Sequence, residues 1–418
     1  MSPRAIDVLG VPFNSSGTTD GVARGPAALR AAGLIGALRA AGVDVRDRGD
    51  LALGPTSPVR DPVSHVIAPA ALAAMIRSVR IEVDASLHDG RFPLVIGGDC
   101  PILLGCLGAP SLDAPGVLFV DGHEDAWPPR ASTTGEAADM ELGFALGLTI
   151  DGLTDDLVAE IPRVEPRRVV VIGARDAFEI AEAGVESIGG LVEIMPAEAV
   201  DLGEAARIGA AAMERLARAG PPWYHVDLDV LSTTSLGSVD FPQPGGLDWA
   251  TLTTLSIGAL SGGAVAGWDV TIYNPDLDRS PGRCPSNRRV HRGHPPRLTV
   301  AVRRSRAAHE TVRPAPERVC IIAVCRIGSS SGYDRGGSGH GDARRYRARR
   351  DCGDRDRLGR THRPGEPAPR LTPVAASEGT AGGRVGRGVT ELAATGGSAL
   401  RHLQLAGIGE RCSTASRC

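Results

Sequence analysis

Gly116-Val117-Leu118-Phe119-Val120-Asp121-Gly122-His123-Glu124-Asp125 opens with an apolar run that passes directly into a cluster of acids and a histidine. The pattern recurs twice: Phe92 to Ile96 leads into Gly97-Gly98-Asp99-Cys100, and Trp223 to Val226 leads into Asp227-Leu228-Asp229. Short uninterrupted apolar runs fit strands buried on both faces, the habit of parallel sheets covered by helices. Similar runs stand at Ala5 to Gly10, Arg168 to Ile172 and Val265 to Tyr273. Between them, helical spacing appears at Pro26 to Ala41, Val66 to Ser86, Glu136 to Leu146, Glu204 to Ala219 and Asp248 to Leu260. Pro26 lies in the first turn of its helix and Gly42 just past the end, as helix boundaries favour. Alternating strands and helices predict an α/β class, a three-layer α/β/α fold around a parallel sheet.

The chain has 418 residues, 42% apolar and 23% charged, which excludes a disulfide miniprotein and a collagen-like chain. Its charge is divided. Residues 1–280 carry 19 Arg against 38 Asp plus Glu, a balance of −19, whereas 281–418 carry 27 Arg against 11 acids, a balance of +16. Of 14 aromatic residues only Tyr333 and Tyr346 follow position 280. The segment from Arg326 to Pro369 has scarcely an aliphatic side chain, and Cys320 to Val324 is a short apolar run without partners of its kind. A chain of that composition cannot bury enough surface to offset its conformational entropy. We therefore expect a globular domain over 1–280 and an Arg/Gly-rich, largely disordered tail over 281–418. The tail's arginines lack interleaved aromatics, which argues against a nucleic-acid partner.

Two cysteines in residues 1–280, and six without metal-finger spacing after them, suit a reducing compartment. No secretory pattern opens the chain, and the uncharged run from Trp249 to Trp268, rich in Thr, Ser and Gly, is no membrane span. The expectation is a cytoplasmic protein with no membrane partner.

In an open parallel sheet, ligands gather at the carboxyl ends of the strands, so the three polar clusters should converge. Within Asp121-x-His123-x-Asp125 and Asp227-x-Asp229, alternate residues of extended chain face the same side. Four carboxylates and an imidazole face to face repel unless neutralised, and a pair of divalent cations would neutralise them. Oxygen-rich donors with an imidazole suit Mn²⁺ or Mg²⁺. The alternative is ordinary solvated carboxylates capping strand-to-helix loops. Cys106 reads as a small buried apolar residue, and His65 and His88 as surface residues.

At these clusters the chain resembles the ureohydrolase family, which includes arginase, agmatinase and related amidinohydrolases. The family's Gly-Gly-Asp-His, Asp-Ala-His-x-Asp and Ser-x-Asp-x-Asp motifs read here as Gly97-Gly98-Asp99-Cys100, Asp121-Gly122-His123-Glu124-Asp125 and His225-Val226-Asp227-Leu228-Asp229. Gly21 to Arg30, Pro244 to Leu247 and Tyr273-Asn274-Pro275 match further, and the likeness spans Ile6 to Asp278 in order and spacing. The resemblance implies an arginase-like fold and two Mn²⁺ ions per subunit. Asp121 and Asp227 would bridge them, His123 and Asp229 would complete one ion, and Asp125 with Cys100 the other. It further implies a metal-bridging hydroxide attacking the guanidinium carbon of a small guanidino substrate, with Asp125 passing a proton to the leaving amine. Urea and an amine would be the products, and a homo-oligomer, trimer or hexamer, the assembly.

Departures from the motifs shape the expectation. Cys100 takes the place of a metal-binding histidine, and a thiol suits Mn²⁺ less than imidazole, which weakens one metal or selects a softer one. Ala138 stands where the family has a proton-shuttling histidine, and Ile272 where it has a guanidinium-binding glutamate. Glu136 and Glu141 are candidate nearby carboxylates, and His225 replaces a serine beside the metals, either supporting them or packed in the core. Asp125, Glu136 and His225 are thus the candidate catalytic residues of a divergent amidinohydrolase. A non-catalytic metal-binding member of the family is the rival reading.

The abrupt change after Asp278 carries one more expectation, a shift of reading frame in the coding sequence. Codons permitted for Cys284 to Pro296, read one base later, can spell Ala-Arg-Arg-Ile-Val-Glu-Tyr-Ile-Ala-Ala-Thr-Leu-Pro, an amphipathic helix of the kind that closes the sheet in the family.

Overall fold

The computed structural model describes residues 5–262 and 264–278, with two further backbone segments at 301–304 and 319–322. In the main part, β1 (Ile6–Val11), β2 (Val45–Asp50), β3 (Phe92–Gly97), β4 (Gly116–Val120), β5 (Val169–Gly173), β6 (Glu193–Pro196), β7 (Pro222–Asp227) and β8 (Gly267–Thr271) form one sheet. Its order is β2-β1-β3-β8-β7-β4-β5-β6, every pairing parallel. The helices are α1 (Gly25–Ala31), α2 (Leu34–Ala40), α3 (Pro69–His88), α4 (Ile102–Leu107), α5 (Glu141–Leu146), α6 (Asp155–Glu160), α7 (Ala177–Glu182), α8 (Leu202–Ala217) and α9 (Trp249–Ser261). Alternation along β4 feeds both faces. Leu118 and Val120 join Leu29, Leu38, Met213 and Leu255 on one side, while Val117 and Phe119 join Leu72, Ile76, Leu103 and Phe144 on the other. This is the expected three-layer α/β/α architecture.

Several boundaries differ from the sequence expectation for local reasons. The helix expected over Pro26 to Ala41 is two, because Gly33 adopts φ 97° and separates α1 from α2. The helix expected from Val66 begins at Pro69, since Ala68 sits at φ 45°. Only Glu141–Leu146 of the span from Glu136 is α-helical. Ahead of it Asp139 accepts hydrogen bonds from the Ser132 and Thr134 hydroxyls, and Ala137–Asp139 closes as a 3₁₀ turn. The strand expected over Val265 to Tyr273 narrows to Gly267–Thr271, because Ile272 turns to φ 68°. The strands β2 and β6 were not anticipated. Both are edge strands, one charged and one four residues long ending in Pro196, and neither carries the apolar signature of the interior. All six residues of α4 are buried, so it shows no amphipathic period.

Val319–Ile322 pairs antiparallel with Ala301–Arg304 as strands β10 and β9, so the apolar run at Cys320 does have a backbone partner. The remainder of the expected tail, and the segment on which the reading-frame expectation rests, lie outside the described residues. Among the described residues no helix is long and apolar enough to cross a membrane.

The fold delivers Cys100 to the site through a close backbone contact. The Gly98 N–H donates to Val11 at 3.0 Å, and its carbonyl accepts from Ile272 at 2.8 Å. A Cβ on Gly98 would stand 1.9 Å from the Phe13 carbonyl oxygen, an impossible approach. Backbone, not a flexible side chain, would have to move. Gly98→Ala should therefore lower unfolding stability by about 1–3 kcal/mol, as overpacking does. A urea melt checks this, and an unchanged midpoint would contradict the close approach.

Candidate metal centre

The carboxyl ends of β3, β4, β7 and β8, neighbours in the sheet, place the polar clusters side by side. After β4, the Asp121 side chain turns back on its own loop and accepts the His123 N–H at 2.7 Å. After β7, Asp227 caps a 3₁₀ turn, accepting the Asp229 N–H at 2.6 Å. That turn carries Asp229 toward the β4 loop, where its carboxylate accepts the Gly122 N–H at 3.0 Å and lies 2.9 Å from His123 Nδ1. Asp121, His123 and Asp229 thus present donor atoms within 4.8 Å of one another.

A second group lies deeper. Cys100, Asp121, Glu141 and His225 also offer one donor atom each within 4.8 Å, and all four are buried. Asp121 belongs to both groups. Parallel register aligns Phe119 on β4, His225 on β7 and Asp269 on β8 in one row. The His225 ring stacks on Phe119 with centroids 4.6 Å apart, and its Nδ1 meets Asp269 Oδ2 at 2.6 Å. Asp269 is held in turn by Trp223 Nε1 at 2.5 Å. Cys100 Sγ donates to Asp227 Oδ2 at 2.6 Å and lies 3.0 Å from Thr271 Oγ1. Asp99, beside it, accepts from both the N–H and the hydroxyl of Ser15, which fixes the loop.

The electrostatics are those of a crowded anionic cluster. Burial, reinforced by the charges of Asp121 and Glu141, pushes the Asp125 carboxyl well above the ordinary range. Burial and Asp121 do the same to Glu141, and burial with Asp229 and Asp121 to Asp227. Burial opposes a charge on His225, but Asp269 and Asp121 outweigh it and raise the imidazole. Asp121 Oδ2 and His225 Nε2 are buried without a hydrogen-bond partner, and the buried Glu141 carboxyl has only the Asp125 carboxyl as a side-chain partner. His225 Nε2 stands 3.8 Å from Asp121 Oδ2, too far for a hydrogen bond. Orphaned lone pairs of this kind are costly, and a divalent cation is the group whose chemistry satisfies them. The residues fit a metal.

Above the groups lies a cleft of about 330 Å³, with His123, Asp125 and Asp229 on its floor and Glu136, Asp176 and Asp240 among its walls. Burial, with Asp99 and Asp139 nearby, raises the Glu136 carboxyl to about 7. Ala138 and Ile272 line the same cleft.

The structure therefore gathers most of the sequence candidates. His123 and Asp229 join Asp121 as expected from the motifs. Asp125 and Asp227 lie at the cleft, Asp227 with its Oδ2 2.6 Å from Cys100 Sγ and Asp125 beside Glu141. The extended alternation expected of the β4 cluster ends at Val120, Asp125 sits at φ 42°, and Asp227 is engaged by Cys100 and Asp229. Glu136 lines the cleft without joining a donor group. His225 is both packed in the core and aimed at Asp121. Sequence reasoning missed Asp269, whose signal was a lone acid within an apolar run, and assigned no position to Glu141, an acid in a helix buried nearly throughout.

Known proteins share this arrangement's frame. The Arginase family profile matches residues 4–285. The arginase of Bacillus caldovelox is 30% identical over 250 residues, covering 59% of this chain and 83% of that protein. Arginase-1 of Homo sapiens is 28% identical over 294 residues, covering 66% of this chain and 87% of that protein. The native structure of the Bacillus caldovelox arginase superposes with a TM-score of 0.57 at 27% identity, covering 66% of this chain and 93% of that one.

Because Asp121 is common to both donor groups, Asp121→Asn should strip divalent metal from both. Elemental analysis of the purified variant is expected to give well under half an ion per chain. Full retention would remove Asp121 from the shared position.

Proposed function

The chain belongs to the arginase family, and from that premise we propose that it hydrolyses the C–N bond of a small guanidino compound, yielding urea and an amine. The observation that carries this reading is the pair of donor groups sharing Asp121 beneath an acidic cleft. A guanidinium keeps its positive charge at every physiological pH, so an acidic cleft attracts it without titration of the ligand. Glu136 and Asp240 on the walls supply negative charge where Ile272 supplies none. Asp125 on the floor accepts the proton of the attacking water and returns it to the departing amine. Ala138 has no proton to exchange, which leaves that transfer to Asp125, with Glu136 among the carboxyls that line the cleft.

A divalent metal bound by the donor groups would supply charge stabilisation and a lowered pKa for water. The outer group, Asp121, His123 and Asp229, has two carboxylates and an imidazole, which suit Mn²⁺. The reading assigns this activity to residues 1–280 of a cytoplasmic homo-oligomer.

Urea release from a panel of guanidino compounds, with Mn²⁺ supplied, tests the proposal. At least one compound should turn over, and none doing so would leave a metal-binding protein without hydrolase activity. Glu136 gives the reaction a pH signature. Its carboxyl, raised to about 7, becomes anionic as pH rises through that value, so KM for a cationic substrate should fall between roughly pH 6 and 8. Glu136→Gln should flatten that dependence and raise KM at pH 8. A variant that keeps the wild-type KM profile would exclude Glu136 from substrate binding.

A further inference from the structure

We propose that Cys100, Asp121, Glu141 and His225 form a closed, thiolate-containing Zn²⁺ site, while Asp121, His123 and Asp229 form the position open to the cleft. The inference deepens the metal-centre reading and rests on it.

The four inner side chains bring one sulfur, one imidazole nitrogen and two carboxylate oxygens, with donor atoms within 4.8 Å of one another. None is more than 1% exposed, and none lines the cleft. His123 and Asp229 do line it. Four protein donors around one ion describe a closed tetrahedral site, whereas three donors facing a cavity leave a coordination position for water or substrate. Zinc–ligand bonds of about 2.0–2.3 Å require donor separations of about 3.3–3.8 Å, so no pair of donor atoms within 4.8 Å needs to close by more than about 1.5 Å.

Three of the four are already short of partners. Asp121 Oδ2 and His225 Nε2 are buried and unpaired, and the buried Glu141 carboxyl has only the Asp125 carboxyl as a side-chain partner. His225 is also prepared as a ligand. Asp269 accepts its Nδ1–H at 2.6 Å, so that Nε2 presents its lone pair once metal binding has released the Nε2 proton to solvent, and Trp223 Nε1 anchors Asp269 from the other side. That carboxylate–histidine arrangement is the usual support of a metal-binding imidazole, fixing its tautomer and orientation. Cys100 now donates its thiol proton to Asp227. Metal binding releases that proton to solvent and leaves a thiolate, which Thr271 Oγ1 at 3.0 Å can stabilise as a donor. Thiolate with imidazole favours Zn²⁺ over Mn²⁺. Glu141 then supplies the fourth donor.

The test uses the full chain, supplied with Zn²⁺ and dialysed, and begins on wild-type protein so that no variant need fold. X-ray absorption at the zinc edge should show one sulfur neighbour at ~2.3 Å among nitrogen and oxygen neighbours. Replacing Zn²⁺ by Co²⁺ should give a thiolate-to-metal charge-transfer band that Cys100→Ser abolishes and His123→Ala preserves. Glu141→Gln, close to isosteric, should weaken Zn²⁺ binding at least about tenfold, and Asp269→Asn about tenfold or more through His225. A zinc shell of nitrogen and oxygen alone, with metal retained, overturns this inference and leaves the proposed function standing. Absence of any retained divalent metal overturns both. Unchanged affinity in Glu141→Gln overturns the four-donor site.

Discussion

Five carboxylates, from Asp121, Asp125, Glu141, Asp227 and Asp229, are buried together where the sheet's central strands end. Like charges removed from water raise one another's free energy, and the guanidinium seen against them is that of Arg175, which donates to the Asp229 backbone carbonyl at 2.7 Å. The imidazoles of His123 and His225 supply part of the compensation, and the surrounding structure holds them in place. His123 is reached through Asp229, and His225 through Asp269. The cluster is therefore expensive to bury, and a divalent cation held there would couple metal affinity to folding.

Strand register is the positioning device. Phe119, His225 and Asp269 lie at matching positions on three adjacent parallel strands, so a stacking ring, an imidazole and a carboxylate form one row without any loop adjusting them. A slip of one residue would send each to the other face. The opposite wall depends on a backbone contact. Gly98 lets the loop bearing Asp99 and Cys100 pass against Phe13, and Ser15 then fastens Asp99. Sites carried on sheet interiors hold their geometry more tightly than sites on loops alone, and here both halves are tied to strands.

The cleft and the donor groups do different work. Acidic walls attract cations over a distance, whereas buried donors would select a metal by softness and coordination number. Replacing a histidine by Cys100 changes the second property without touching the first. Ile272 and Ala138 change the cleft, removing a charge and a proton carrier from positions where the family resemblance places them, and Glu136 remains as the wall carboxylate whose ionisation falls near neutrality.

The sequence by itself determined the sheet class and the cast of the site. Apolar strands announce burial on both faces, and the acids at their ends announce convergence, because both signals are local and survive in one dimension. Edge strands β2 and β6 escaped because solvent on one side removes the apolar run, and α4 escaped because full burial removes the period. Tertiary structure alone decided which of these side chains come within reach of one another. Spacing along an extended chain pairs Asp125 with its neighbours, but the chain leaves the extended state after Val120, and φ 42° at Asp125 breaks the alternation. Glu141 and Asp269 entered the site from a helix and a strand far off in sequence, and only the packing of those elements brings their charges within reach of Cys100 and His225.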